Sequence, residues 1–151
     1  MKTIVVLVDF SDLSFTLMKH AHALAKAFDS HVILLHVVPQ VPTVVDVGLA
    51  APAVMQEMSE EQVRGEMEKL TEMRDSLAKF SVTVTTRQFQ GVSVENILDE
   101  CSQVGADLII VGSHGHGALY DLFVGSVTRN ILRHSTCPVL VVPAPVEAPA
   151  A

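Results

Sequence analysis

The chain has 151 residues, 49% of them hydrophobic, and a formal net charge of −7. That length fits one domain with a real core and leaves little room for a second module. The acidity opposes general attraction to a phosphate backbone, so nucleic acid is not an expected partner, and no apolar run approaches the roughly 20 residues that span a bilayer.

Met1-Lys2-Thr3 leads straight into an apolar run, with no small-residue cleavage site and no Arg-rich leader, so membrane insertion is not expected and the cytoplasm is the expected location. Lys2 to Asp9 is β-branched and continuously apolar, the pattern of a strand covered on both faces. Ser11 or Asp12 can cap a helix in which Leu17, Met18, Ala21, Leu24, Ala25 and Phe28 recur at helical spacing. His31 to Val38 is a second buried strand. Pro39 and Pro42 then open a Pro/Val/Gly/Ala-rich stretch, expected as a loop to about Val54.

Glu57 to Phe80 is rich in helix formers, with Val63, Met67, Leu70, Leu77 and Phe80 as its apolar stripe. Val82 to Phe89 alternates apolar and polar residues, as a strand near a sheet edge does. Val94, Ile97, Leu98 and Cys101 mark a short helix closed by Gly105, and Asp107 to Val111 is the fourth strand. After a glycine-rich segment, Ser126 is the expected cap of a helix reaching about His134, and Pro138 to Pro143 supplies a fifth strand. The domain is expected over residues 1–143, with a frayed Ala/Pro-rich tail at 144–151.

Five strands alternating with four helices predict a doubly wound parallel sheet, an α/β/α sandwich of Rossmann-like or flavodoxin-like type. Cys101 and Cys137 lie far apart in sequence and fit neither a CxxC pair nor a disulfide framework, so both are expected reduced and at least partly buried.

The fourth strand runs directly into Gly112-Ser113-His114-Gly115-His116-Gly117, and Gly125-Ser126 follows just before the last helix. In an open doubly wound sheet, ligands sit beyond the carboxyl ends of the strands, and Gly112 begins at such an end. Glycine lets main-chain N–H groups approach an oxygen-rich ligand without a Cβ in the way. Gly125 and Ser126 bring a second set of amides at a helix start, where the dipole favours negative charge and the Ser126 hydroxyl adds a donor. A phosphate chain could bridge the two. A glycine-lined exit from a strand followed by a capped helix is the plainer alternative.

Gly112-x2-Gly115-x9-Gly125-Ser126 resembles the ATP-binding signature of the universal stress protein family, G-x2-G-x9-G-[ST], with every specified position filled. The resemblance extends over Val5 to Asp9, Leu34 to Val38, Ala106 to Gly112 and Cys137 to Pro143. It implies the strand order 3-2-1-4-5, ATP as ligand, and membership of the family's ATP-binding branch. It also implies Asp9 near the nucleoside and the Val37 backbone against adenine. Gly112, His114 and Gly115 would lie near ribose and phosphates, with Gly125, Ser126 and Val127 at the phosphate end. Phe10 and Ser11 stand where many relatives have small residues, which implies a tighter entry. For Asp9 the alternative is a cap on the following turn, and for Val37 a plain core position.

The family commonly dimerises through its last strand, which implies a homodimer through Val139 to Val142; a regulated protein partner is expected but unidentified. His114 and His116 lack the further ligands a transition metal needs, and solvated loop histidines are the expected reading. Mg²⁺, if it accompanies ATP, is expected on phosphate oxygens and water. Arg129 and Arg133 share a helix face that could add positive charge, or simply face solvent. His36 reads as a satisfied core histidine. His20, His22 and His134 have no nucleophile at interpretable spacing, and the longer glycine loop of kinases and motors is absent. No catalytic residue is assigned. The sequence therefore suggests a nucleotide-binding stress or regulatory module, with a slow ATPase, or a dimeric interaction protein whose cradle is empty or holds another anion, as alternatives.

Overall fold

The computed structural model describes residues 1–38, 41–43, 54–56, 58–91, 93–113 and 125–144. In chain order the elements are β1 (Thr3–Val8), α1 (Asp12–Phe28), β2 (His31–Val38), β3 (Val41–Thr43), β4 (Val54–Gln56), α2 (Glu60–Ala78), β5 (Val84–Gln90), α3 (Val94–Gln103), β6 (Leu108–Gly112), α4 (Ser126–His134) and β7 (Val139–Val142). Five strands form one sheet in the order β5-β2-β1-β6-β7, and every pairing in it is parallel. Numbering only those five in chain order gives 3-2-1-4-5, as expected.

Alternation along β1 divides the core. Ile4, Val6 and Val8 face α1 and α2, where Leu17, Met18, Ala21, Leu70, Met73 and Leu77 close a first apolar cluster. Val5 faces the opposite way and joins Ile33, Leu35, Ile109 and Val111 under Ile97 and Cys101 of α3 and Ile131 of α4. Both faces of the sheet are thus covered by helices, and that is why β1 and β2 read as unbroken apolar runs rather than alternating ones. Each fully buried Val, Leu or Ile contributes roughly 1.5–3 kcal/mol, so the central strands hold most of the stabilising area.

Several elements differ from the expectation at their ends. Within and just after the stretch expected as a loop, Val41–Thr43 and Val54–Gln56 are strands, paired antiparallel with Val41 opposite Gln56 and Thr43 opposite Val54, while residues 44–53 lie outside the described residues. Pro42 pairs with Met55 within that ribbon. A two-stranded ribbon tolerates proline wherever the missing N–H would point outward. Helix α2 starts at Glu60 rather than Glu57, since Ser59 and Gln62 form a reciprocal capping box that fixes the first turn. Phe28 and Phe80, expected in apolar stripes, are 56% and 60% exposed. The cause is position: Phe28 is the last residue of α1, and Phe80 lies past the end of α2.

The amino end of the sheet is tied by Asp107, immediately before β6. Its Oδ2 accepts from the main-chain N–H groups of Lys2 and Thr3, and its own N–H donates to the Thr3 carbonyl at 2.9 Å. The Lys2 N–H first, and then the Thr3 N–H, hold the Asp107 carboxyl below its ordinary value of 3.8. A depressed carboxyl stabilises the fold above the unfolded-state value, and that contribution disappears as pH falls through the folded-state value. Urea denaturation across an acid pH series should therefore show the wild type losing stability below about 3.8 more steeply than Asp107→Asn, which lacks this titration.

Candidate functional site

The carboxyl ends of β1, β2, β6 and β7 all open on one side of the sheet, as parallel pairing requires. Asp9 follows β1 there, and its Oδ1 accepts from the Ser11 N–H at 3.1 Å, the Ser11 hydroxyl at 2.5 Å and the Ser14 hydroxyl at 3.0 Å. Ser14 Oγ in turn accepts from the Asp9 N–H at 3.2 Å, so the carboxylate and the first turn of α1 brace each other. Ser11 is the N-cap of α1 but makes no side-chain cap bond, because its hydroxyl donates to Asp9 instead. Between them stands Phe10 at φ +63°, in the left-handed region that a bulky residue rarely adopts.

Val37 lies one step beyond the last paired register of β1 and β2, which is Val8 opposite His36. His31 donates to Lys2 on the β1 side, whereas Val38 accepts from Gly91 on the β5 side. Since main-chain direction alternates, the N–H and C=O of Val37 point toward β1 where that strand has ended. Its side chain packs against the cluster under α3 and α4.

The two arms of the glycine signature are joined directly. Gly112 ends β6 opposite Val142, and its carbonyl accepts from Thr128 Oγ1 of α4 at 2.8 Å. The next carbonyl, Ser113, accepts from the Gly125 N–H at 2.8 Å. Ser113 is itself buried, donates its N–H to Val142, and accepts the Ala144 N–H on its hydroxyl at 3.0 Å. Neither Ser113 nor Thr128 was singled out in the sequence. A small hydroxyl beside a strand-end glycine and a β-branched hydroxyl in the first turn of a short helix are the only local signs of this stitch, and both are common residues.

Gly125, not Ser126, caps α4: it has φ −53° and ψ 156°, and Ser126 is the exposed first residue of the helix. The bond from Gly125 N–H to Ser113 fixes Gly125 in an extended conformation, which moves the helix start one residue on. As a glycine, the N-cap residue itself brings no side-chain cap bond. A Cβ built at Gly125 would meet, among the described residues, only the Ser113 carbonyl at 3.7 Å, an ordinary contact. Packing within the described chain therefore does not require glycine there. Val127 packs toward the α3/α4 side of the core. His114 and Gly115 lie outside the described residues.

His36 is the buried, satisfied histidine expected, with Nδ1 2.8 Å from the Val8 carbonyl and Nε2 2.8 Å from Glu66 Oε2. Both cysteines are free thiols. Burial, followed by the neighbouring Cys137, pushes the Cys101 thiol up to about 12, so it offers no thiolate for nucleophilic chemistry at neutral pH. Among the described residues no helix is long and apolar enough to cross a membrane.

The Thr128 contact is open to a direct test. Thr128→Val keeps the volume, removes the donor and leaves the Gly112 carbonyl without it at a site where residue 128 is only 6% exposed. A loss of about 1–3 kcal/mol is expected in denaturant unfolding, as for other buried groups left unpaired.

Comparison with known proteins places this arrangement. The model of the universal stress protein family matches residues 1–143. Universal stress protein MJ0531 of Methanocaldococcus jannaschii is 33% identical over 144 residues, covering 95% of this chain and 83% of that protein. YxiE of Bacillus subtilis is 30% identical over 142 residues, covering 91% and 95%. Among solved structures, that of MJ0577 from Methanocaldococcus jannaschii superposes with a TM-score of 0.68 at 28% identity, covering 95% of this chain and 96% of that one. The signature spacing, the parallel sheet and the match along nearly the full chain agree, and the chain belongs to the universal stress protein family.

Proposed function

We propose that the protein binds ATP across the carboxyl ends of β1, β2 and β6 and acts as a nucleotide-dependent stress-response or regulatory module in the cytoplasm. The observation that carries this reading is the pair of hydrogen bonds from Gly125 N–H to Ser113 and from Thr128 Oγ1 to Gly112, which draws the two halves of the glycine signature together. The amides at the start of α4 then border the strand-end glycine, an arrangement suited to a phosphate chain. At Gly125 the space a Cβ would fill is kept open although the described chain does not need it, and close approach of a ligand is a reason to keep it so. Two solved proteins of the same fold, at 23% and 20% identity, are complexes with cAMP and dAMP, the second from Archaeoglobus fulgidus.

In this reading Asp9 and the Val37 main chain receive the nucleoside. Gly112, His114 and Gly115 flank the ribose and phosphates, and Gly125, Ser126 and Val127 hold the phosphate end. Mg²⁺ is carried mainly by the phosphates. The edge strand β7 joins two copies through Val139 to Val142, and the dimer displays the nucleotide-sensitive surface to a protein partner. Light scattering at micromolar concentration should report a dimer, and a monomer would remove this part of the proposal.

The site is tested by equilibrium binding of ATP, AMP and inorganic phosphate with Mg²⁺ present, alongside mass spectrometry of any small molecule released from purified protein. Gly125→Ala is the informative variant, because its backbone angles suit any L-residue and its Cβ meets, among the described residues, only an ordinary contact. It should fold normally and bind ATP at least about tenfold more weakly, a change of about 1.4 kcal/mol. Unchanged affinity would remove Gly125 from the site, and absence of ATP binding by the wild type would overturn the function proposed.

A further inference from the structure

His36 stands opposite Val8 at the last paired step of β1 and β2, with its ring buried. Its Nδ1 faces the Val8 carbonyl, which can only accept, so Nδ1 carries a proton. Its Nε2 lies 2.8 Å from Glu66 Oε2 of α2. An ionised carboxylate also only accepts, so this second contact requires a second proton on the line between nitrogen and oxygen. Without that proton two lone pairs would oppose each other at hydrogen-bond distance in a site where water gives little relief.

The same ring supports an unusual turn. Phe10 packs on His36 with ring centres 4.2 Å apart and planes inclined by 44°. Lys69 of α2 lies 5.7 Å from the centre of the Phe10 ring. Phe10 holds a left-handed backbone conformation that is costly for a bulky residue and persists only where its surroundings enforce it. Asp9 lies between the two residues that the imidazole touches, Val8 through its carbonyl and Phe10 through its ring.

We propose that His36 and Glu66 form a proton-holding positioning pair for the nucleoside end of the site. With the shared proton in place, the imidazole links α2 to the end of β1 and holds the turn that orients Asp9. When the proton is lost as pH rises, the link to Glu66 opens, the turn loosens and nucleoside binding weakens. Glu66 of α2 touches the ring, Lys69 of α2 stands over the Phe10 ring, and Asp9 lies in the turn between Val8 and Phe10, engaged by Ser11 and Ser14. The register neighbour on β5, Gln88, is uncharged and donates to the Val63 carbonyl of α2. This proposal rests on the nucleotide-binding reading, but its proton can be observed without any ligand.

Glu66→Gln separates position from protonation. Its amide N–H can donate to the lone pair of a neutral Nε2, which keeps the contact while removing the need for the second proton. In the wild type, ATP affinity measured by titration calorimetry should fall by about tenfold from mildly acidic to alkaline pH, or about 1.4 kcal/mol. In Glu66→Gln the profile should be flat, and in Glu66→Ala affinity should be low throughout. Proton NMR of the ligand-free wild type should show a protected downfield ring N–H from the His36–Glu66 contact that disappears at alkaline pH. Absence of that resonance at acidic pH, or equal pH slopes in the wild type and Glu66→Gln, overturns the pair. Observation of the proton together with no ATP binding at any pH overturns the nucleotide reading and, with it, the positioning role.

Discussion

Strand β1 lies between β2 and β6 and pairs parallel with both, from Thr3 opposite His31 to Val8 opposite His36 on one side and from Ile4 opposite Leu108 to Val6 opposite Ile110 on the other. Ile4, Val5 and Val6 are at most 1% exposed, so a slip of one residue would turn each to the opposite cluster. Everything at the candidate site depends on this register. Parallel strands bring their carboxyl ends to one side, and the short β1 ends where β2 continues, so Asp9 and the main chain of Val37 come to the same rim.

The second half of the rim is built by hydrogen bonds rather than by burial. Ser113 is the centre: it pairs with Val142, receives Ala144 on its hydroxyl and holds Gly125 through its carbonyl. One residue thus joins the ends of β6 and β7 to the start of α4. Thr128 repeats the connection from within the helix. The helix start is thereby held against the strand-end glycine, although twelve residues of sequence, 113–124, separate Gly112 from Gly125.

Asp9 illustrates how a local role and a proposed functional one can share one residue. Oδ1 is engaged by Ser11 and Ser14, so the reading of Asp9 as a cap for the turn is part of its structure. That bracing also fixes the direction of the carboxyl group, which a ligand-binding role requires. The left-handed Phe10 beside it costs backbone energy, and its contact with the buried His36 ring is a nearby compensation.

The sequence by itself determined the five core strands, the four helices and the covered sheet, because short β-branched runs such as Val32 to Leu35 suit buried strands and stripes such as Leu17, Met18 and Ala21 recur at helical spacing. It also marked Gly112 and Gly125, since glycine spacing is a local property of the chain. Element ends were less legible: Ser59 and Gln62 displaced the start of α2, and the Gly125–Ser113 bond displaced that of α4. Only the tertiary structure decided that Ser113 and Thr128 stitch the signature, and that His36 meets Glu66 thirty residues away. Such contacts depend on which side chains the register brings within about 3 Å, the ordinary hydrogen-bond range, and residue type alone does not encode that distance.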